Sequence, residues 1–274
     1  MITLLRDLRG SRELLTNLTN REVKGKYKRT ALGQAWSLAN PIALMIIYTA
    51  VFGFVIDIPQ NPGDPSGLSV FALWLMCGLL PWTFFTGVVN AGMASLTANE
   101  NLIKKVWFPR ITLIASGSLA TLYTWVIEMS VLAVALLIVG GPRVLMFLPL
   151  VVLAMALLTL FASGVSMIFA IANVHFRDMQ HLTTILFQMW FYATPILYPV
   201  TLVQDAAGSV GTWLIEVYRL NPMERFVEVF RNLLYDQRLP ELDSVLHCVG
   251  WTAVALLVGA RVFRRSEARL AELL

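Results

Sequence analysis

Residues 111–140, ITLIASGSLATLYTWVIEMSVLAVALLIVG, form a run of 30 residues in which Glu128 is the only charged side chain. A helix of about 20 apolar residues crosses the hydrocarbon core of a bilayer. Lipid offers no hydrogen-bond partners, so such a segment must close its backbone hydrogen bonds within its own helix. This stretch therefore predicts a membrane-spanning α-helix.

Apolar stretches of similar length lie on both sides of this run. Hydrophobic residues make up 57% of the chain and charged residues 14%, which is outside the composition of soluble domains. The alternating segments of an outer-membrane barrel are absent, and the first apolar run begins too late for a cleavable signal peptide. The predicted spans are 36–57, 68–92, 111–140, 144–172, 180–200 and 244–263. We therefore predict an all-α integral membrane protein with six transmembrane helices.

Lys and Arg residues collect on one side of these predicted spans. Sixteen of the 21 basic residues lie in the N-terminal segment, two alternate loops and the C-terminal tail, and five lie in the other loops. Because basic residues favour the cytoplasmic side, both termini are predicted to be cytoplasmic.

Residues 1–35 combine an amphipathic pattern with a basic cluster. Leu4, Leu8, Leu15 and Leu18 recur at helical spacing among charged residues, which is typical of a helix lying along a membrane surface. The basic cluster that follows is a topology signal and favours contact with anionic headgroups. The predicted membrane-interface anchor comprises Arg21, Lys24, Lys26, Lys28, Arg29 and Trp36.

Motifs for catalysis and nucleotide binding are missing from the sequence. The one Gly-Lys pair is followed by Tyr27 and is no phosphate-binding loop. Cys77 and Cys248 have no metal-ligand spacing, and no paired carboxylates or nucleophile and base stand together in the spans. We predict no enzyme activity, no metal site and no cofactor in this chain. Glu128 is either functional or a hydrogen-bonding partner for a neighbouring helix.

The loop NENLIKKVWFPR, residues 99–110, is a second amphipathic element. Its apolar residues fall on one face of a short helix and its two lysines on another, and Pro109 ends it. It is predicted to be a membrane-surface connector or a docking element. Arg177 and Asp178 lie in the other loop predicted to be cytoplasmic. Favourable interaction of their charges with the ends of the flanking helices explains their presence without a functional role.

The segment 195–243 predicts a capped amphipathic helix. Asn221 is a good N-cap, Pro222 suits the first helical position and Glu224 suits a capping box. One face is apolar and the other is charged, so a solvated surface helix is one interpretation. The prolines of TPILYP interrupt the fifth span near its outer end. The apolar face comprises Met223, Phe226, Val227, Phe230, Leu233 and Leu234, and the charged face Glu224, Arg225, Glu228 and Arg231.

Five motifs in order resemble the membrane-spanning subunit of ABC-2-type exporters of polysaccharides and lipid-linked glycans. They are REVKGKYKRTALGQAWSLANP, NLIKKVWFPR, FRDM, TPILYP and LNPMERFVEVFRNLL. The resemblance implies a homodimer of a six-helix domain, residues 36–263, that encloses a pore. It also implies two copies of a separate ATPase that binds ATP and Mg. A cytoplasmic tail, 264–274, follows the last span.

The same resemblance assigns roles to three sets of residues. The N-terminal interface helix and the coupling helix at 99–109 are expected to contact the ATPase, and the re-entrant region 195–243 to form an outer gate. The coupling candidates are Leu102, Ile103, Lys104, Lys105, Trp107, Arg177 and Asp178. The outer-gate candidates are Pro195, Tyr198, Asn221, Pro222, Phe226 and Arg231.

Aromatic and polar residues lie near mid-bilayer in the first and fifth predicted spans, away from the usual interfacial belts. Aromatic rings can stack on sugar rings while Thr and Gln supply hydrogen bonds, although ordinary helix packing is an equal interpretation. The candidate substrate path is Tyr48, Phe52, Phe187, Gln188, Trp190, Phe191 and Thr194.

These features predict an ATP-driven exporter of lipid-linked polysaccharide in a bacterial plasma membrane, with no nucleic-acid partner. A drug or lipid exporter, an ATP-independent scramblase and a glycan-modifying membrane enzyme are the alternatives. The Arg-rich composition hints at a GC-rich genome, so cell-wall galactan is a candidate substrate beside O-antigen and teichoic acid.

Overall fold

The computed structural model describes residues 2–28, 33–55, 62–176, 178–203, 218–267 and 270. The described residues fold into α-helices joined by short turns. Two π-helical segments, Thr49–Val55 and Asn232–Asp236, directly follow the α-helices Trp36–Tyr48 and Pro222–Arg231. The helices are α1 (Ile2–Gly10), α2 (Arg12–Tyr27), α3 (Trp36–Tyr48), α4 (Phe71–Ala98), α5 (Glu100–Lys105), α6 (Ile111–Gly140), α7 (Leu148–His175), α8 (Met179–Tyr192), α9 (Pro222–Arg231) and α10 (Leu242–Glu267).

Five helical segments of the described chain are long and apolar enough to cross a membrane. They correspond to five of the predicted spans, and the helix at 111–140 has the predicted bounds. The segments are Trp36–Val55, Phe71–Ala98, Ile111–Gly140, Leu148–His175 and Leu242–Glu267. The protein is therefore an all-helical, multi-pass membrane protein.

The predicted fifth span, 180–200, is not one continuous helix. Its helix, α8, has 14 residues, about 21 Å at 1.5 Å per residue. The chain turns after Tyr192, because Pro195 disfavours a helical conformation at Thr194. The six-span count stays a prediction.

α4 is the centre of the bundle. It packs against α6 and α7, and α7 packs against α10. Glycines permit the closest of these contacts: a Cβ atom on Gly259 of α10 would overlap the carbonyl oxygen of Gly164 in α7. A Cβ atom on Gly92 of α4 would likewise overlap the Ser166 hydroxyl in α7. Small residues at such crossings let backbones approach where lipid gives no hydrophobic driving force.

The N-terminal helices pack on the protein itself. Leu4 and Leu18 are buried, and Leu8 and Leu14 pack beside them against the adjoining ends of α4, α6, α7 and α10. The predicted amphipathic pattern is present, but the chain itself covers this apolar face. The covering residues form a hydrophobic cluster, called the second core here, that is separate from the main core around α4. The helix pair is thereby fixed against the start of α6.

Two helices have little cover from the part of the chain that the structure describes. Only 6% of the most apolar window of Trp36–Val55 is buried. On α8, a stripe of apolar side chains is exposed, comprising Leu182, Ile185, Leu186 and Met189.

Candidate functional site

An aromatic cluster joins α8 to the centre of the bundle. The ring centroid of Trp190 lies 5.3 Å from that of Phe85 and 5.9 Å from that of Trp82, both in edge-on geometry. Phe187 and Phe191 are buried in the same cluster. Edge-to-face arrangements of this kind are favourable for aromatic rings. The cluster holds α8 against α4 although α8 is short.

The predicted path residues lie in different environments. Tyr48 of α3 stacks on Phe191 with ring centroids 6.1 Å apart, and Phe52 meets Tyr48 edge-on at the same distance. Thr194 is fully buried, whereas Gln188 is exposed. The structure brings the first-span and fifth-span aromatics together within one chain, and their role as a substrate path stays a prediction.

Asn221 connects the start of α9 to the end of α8. Its side-chain oxygen accepts hydrogen bonds from the Trp190 indole at 2.8 Å and from the Met223 backbone N–H at 3.1 Å. Its amide group donates to the Thr194 hydroxyl at 3.0 Å. The predicted N-cap is confirmed. The predicted capping box is wrong, because the Asn221 N–H donates to the Tyr218 carbonyl instead of to Glu224.

Arg231 fixes the segment that follows α8. Its guanidinium donates to the carbonyl oxygens of Pro195 at 2.6 Å and Ile196 at 2.8 Å, and lies 3.5 Å from the Trp74 ring centroid. Gly78 of α4 makes room, since a Cβ atom there would lie 3.1 Å from the Arg231 Nη2 atom. Arg231 thus joins α9, α4 and the turn after α8.

The remaining outer-gate candidates surround this joint. Phe226 is buried, with its ring centroid 5.4 Å from that of Phe161 in α7. The Tyr198 hydroxyl donates to the Tyr192 carbonyl at 2.7 Å. Beside Arg231 is a cavity of about 310 Å³ that Asp236 also lines. Burial raises the pKa of Asp236, and the nearby Arg238 opposes that shift.

The charged face of α9 is not solvated as the surface-helix interpretation required: Glu224 and Arg225 are buried, and Glu228 and Arg231 are partly buried. Arg225 lies 3.3 Å from a carboxylate oxygen of Glu224, 3.2 Å from Glu228 and 3.3 Å from Asp243 of α10. A charge in a poorly solvated position needs such partners. The ion cluster therefore clamps α9 to α10, while all six predicted apolar residues of this segment are buried on the other side.

The coupling helix is shorter than predicted. α5 ends at Lys105, and Val106 is extended with φ −134° and ψ 136°. Pro109 disfavours a helical conformation in the residue before it, and Val106 is a β-branched residue that fits extended chain. The predicted shared face of Ile103 and Trp107 is therefore wrong: Ile103 is buried, and Trp107 is 90% exposed.

A groove of about 630 Å³ lies between this segment and the end of α10. Lys104 and Lys105 line it, together with Arg264 and Glu267. Lys104 pairs with Glu100 at 2.6 Å. Leu102 packs at the edge of the second core. Asp178 is exposed just before α8, and Arg177 lies outside the described residues.

The described basic anchor residues are on the surface of α2 and at its C-cap. Arg21 donates to the Asn99 side chain at 2.8 Å, which ties α2 to the joint between α4 and α5. Lys24, Lys26 and Lys28 are exposed. Trp36 is half exposed at the start of α3, and Arg29 lies outside the described residues.

Comparison with known proteins identifies the family. Residues 13–235 match the family described as ABC-2 type transporter. This chain belongs to the ABC-2 transporter family.

Relatives of this ABC-2 chain match it along nearly its whole length. The O-antigen export system permease protein RfbA of Myxococcus xanthus is 32% identical over 276 residues, covering 99% of both chains. The protein of the same name from Klebsiella pneumoniae is 30% identical, covering 96% of this chain and 95% of its own. The polysialic acid transport protein KpsM of Escherichia coli is 25% identical, covering 91% and 92%. The chain is therefore a transport permease and not an enzyme.

Sequence reasoning missed two features of this ABC-2 chain. One is the ion cluster around Arg225, whose partner Asp243 is 18 positions away on another helix. The other is the contribution of the α10 end to the groove beside α5, where Arg110 donates to the Glu267 backbone carbonyl oxygen. Opposite charges were visible around Arg225, whereas the acceptor of Arg110 is a backbone carbonyl; in both cases only the fold brings the groups together.

Proposed function

We propose that this chain forms the translocation pathway of an ATP-driven exporter that carries lipid-linked polysaccharide from the cytosol to the outer face of a bacterial plasma membrane. The observation that carries the proposal is the end-to-end similarity to permeases named for O-antigen export and polysialic acid transport. ABC-2 permeases work with ATPase partners, so the energy comes from a separate subunit.

The pathway has six crossings and a re-entrant hairpin, with α8 as the fifth crossing. Trp190, which bonds to Asn221, is about 16 Å along α8 from Met179. At the other end of the segment, the Tyr235 hydroxyl donates to the Leu68 carbonyl, just before α4. α9 and its π-helical continuation therefore rise from near mid-membrane toward the outer boundary, which supports an outer gate. The distribution of basic residues places both termini in the cytoplasm.

The functional unit contains a second copy of the chain. α3 is almost uncovered, and α8 exposes an apolar stripe beside it. A pore between two copies would place Gln188 toward the glycan and leave Phe187 and Phe191 as the wall behind it. The aromatic cluster would hold that wall against α4.

Two ATPase subunits dock on the cytoplasmic side. The exposed Trp107 and the groove beside it supply an aromatic anchor and a charged rim, a combination typical of protein interfaces. Closure of the ATPases would push on α5, and Arg21 would pass that movement to α2 through Asn99.

An ABC-2 exporter of a drug or lipid is the alternative within the family. The two functions predict different results when the chain is depleted: glycan accumulates in the cytosol if the chain exports polysaccharide, but not if it exports a drug or lipid. Among polysaccharides, O-antigen, teichoic acid and galactan are all candidates.

The test is a mild-detergent purification of the tagged chain from native membranes, followed by depletion of the chain in cells. We expect an equimolar ATPase whose activity vanadate inhibits, and lipid-linked glycan that accumulates inside depleted cells. A chain that purifies alone and moves or modifies lipid without ATP would refute the proposal in favour of a scramblase or membrane enzyme. Normal glycan export after depletion would refute the substrate class while leaving the transporter family intact.

A further inference from the structure

A cavity of about 510 Å³ lies between α2, α3, α4 and α6. It is separate from the aromatic cluster and from the groove beside α5. Its floor is buried: Trp125 is 1% exposed and stacks on Phe84, with ring centroids 4.0 Å apart. Its rim is open, since Lys26 and Asn40 are exposed and Trp36 is half exposed. Pockets of this size hold small ligands or headgroups.

The cavity carries unused hydrogen-bonding capacity. The buried indole N–H of Trp125 has no hydrogen-bond partner among the described residues. A buried donor without a partner costs free energy, so a ligand acceptor at this position would stabilise the site. Asn40 and Thr121 add polar groups to the wall.

Both signs of charge line the same cavity. Lys26 comes from the last turn of α2 and Glu128 from the middle of α6, and the two are close enough to interact electrostatically. Glu128 is the only charged residue of its span. A ligand that complements this site offers an anionic group to Lys26 and a cationic group to Glu128.

The position of the cavity indicates an amphiphile. Trp36, at the rim, is the first residue of a candidate span, whereas Glu128 lies about 25 Å along α6 from Ile111. The cavity therefore reaches from the membrane boundary into the bilayer, where lipid molecules have access to it. Exposed apolar side chains flank it, Ile42 and Ile46 on α3 and Val126 on α6. Acyl chains can lie along these residues while the headgroup occupies the cavity.

We propose that this cavity binds a zwitterionic phospholipid of the phosphatidylethanolamine class, with its phosphate at Lys26 and its ammonium at Glu128. An anionic phospholipid or a polyprenyl diphosphate would satisfy Lys26 but leaves Glu128 facing negative charge. The site is separate from the proposed glycan path and does not depend on the substrate being a polysaccharide.

Native mass spectrometry of the purified 274-residue chain tests this assignment. The chain is delipidated and mixed with equal amounts of phosphatidylethanolamine and phosphatidylglycerol. We expect retention of phosphatidylethanolamine to exceed that of phosphatidylglycerol by about tenfold, as charge-assisted hydrogen bonds at both ends of the headgroup require. Equal retention of the two lipids would overturn the proposal, as would displacement of phosphatidylethanolamine by an equal amount of polyprenyl diphosphate.

Two variants and a matched control locate the effect. Glu128→Gln should bring the preference close to one, and Lys26→Ala should lower retention of both lipids. Lys24→Ala changes a lysine on the same helix that does not line the cavity, and should retain the preference. Gel filtration verifies that each variant is folded. If Glu128→Gln does not fold, the test depends on Lys26→Ala, because Lys26 is exposed. Unchanged retention of the two lipids by Lys26→Ala would then overturn the assignment.

Discussion

Replacing Arg231 by methionine should release the segment after α8 from the bundle. The change removes two charge-assisted hydrogen bonds and one cation–π contact, and leaves the carbonyls of Pro195 and Ile196 without these donors. Each such hydrogen bond is worth roughly 1.5–3 kcal/mol and the cation–π contact about 1–2 kcal/mol. Methionine packs well and removes the desolvation cost of the guanidinium. We therefore expect a net loss of about 3 kcal/mol, or roughly 6–12 °C in Tm.

A thiol-reactive fluorescent dye can follow this unfolding. The chain has two cysteines, and both Cys77 and Cys248 are buried and free, so the dye reacts as the bundle opens. Arg238→Met is the matched control: Arg238 is half exposed, lies 3.5 Å from Asp236 and donates to the Asn232 side chain at 3.0 Å, contacts worth about 1–2 kcal/mol together. A Tm for Arg231→Met within about 2 °C of the wild type, or an equal drop for Arg238→Met, would refute this reasoning.

The remaining predictions concern a helix crossing, an interface and a hydrogen-bond hub. Gly259→Ala should destabilise the bundle by about 1–3 kcal/mol in the same dye assay because its Cβ atom meets the Gly164 carbonyl, whereas Gly250→Ala has open space and should not. Trp107→Ala should weaken ATPase co-purification at least tenfold while leaving Tm unchanged, since this side chain is 90% exposed; unchanged co-purification would contradict its docking role. Asn221→Ala should cost about 2–4 kcal/mol and change Trp190 fluorescence, because the indole loses its acceptor; an unchanged spectrum would contradict the hub.

Long apolar runs made most of the membrane bundle predictable. The helix at 111–140 begins and ends where its composition predicts, since in lipid both the length and the apolarity of a span are physically required. The N-cap at Asn221 was equally predictable, because the preference for Asn at an N-cap and for Pro at the first helical position depends only on neighbouring residues.

Features that depend on distant partners were not predictable. The sequence pattern of α9 did not indicate that Glu224 and Arg225 are buried, because the ion-pair partner Asp243 belongs to α10. The amphipathic pattern of α1 and α2 predicted an apolar face correctly but did not reveal whether lipid or protein covers it. Arg231 was expected at the outer gate, but its acceptors are backbone carbonyls, which no side-chain pattern encodes.

The glycine contact between α7 and α10 determines how the bundle can deform. The backbones are in direct contact at Gly164 and Gly259, so no compressible side-chain layer separates the two helices. We therefore expect α7 and α10 to move as one rigid unit. Among the described residues, α3 and α8 make no comparable backbone contact, and aromatic side chains lie between them and their neighbours. In a transport cycle we would therefore expect α3 and α8 to change position relative to that rigid unit.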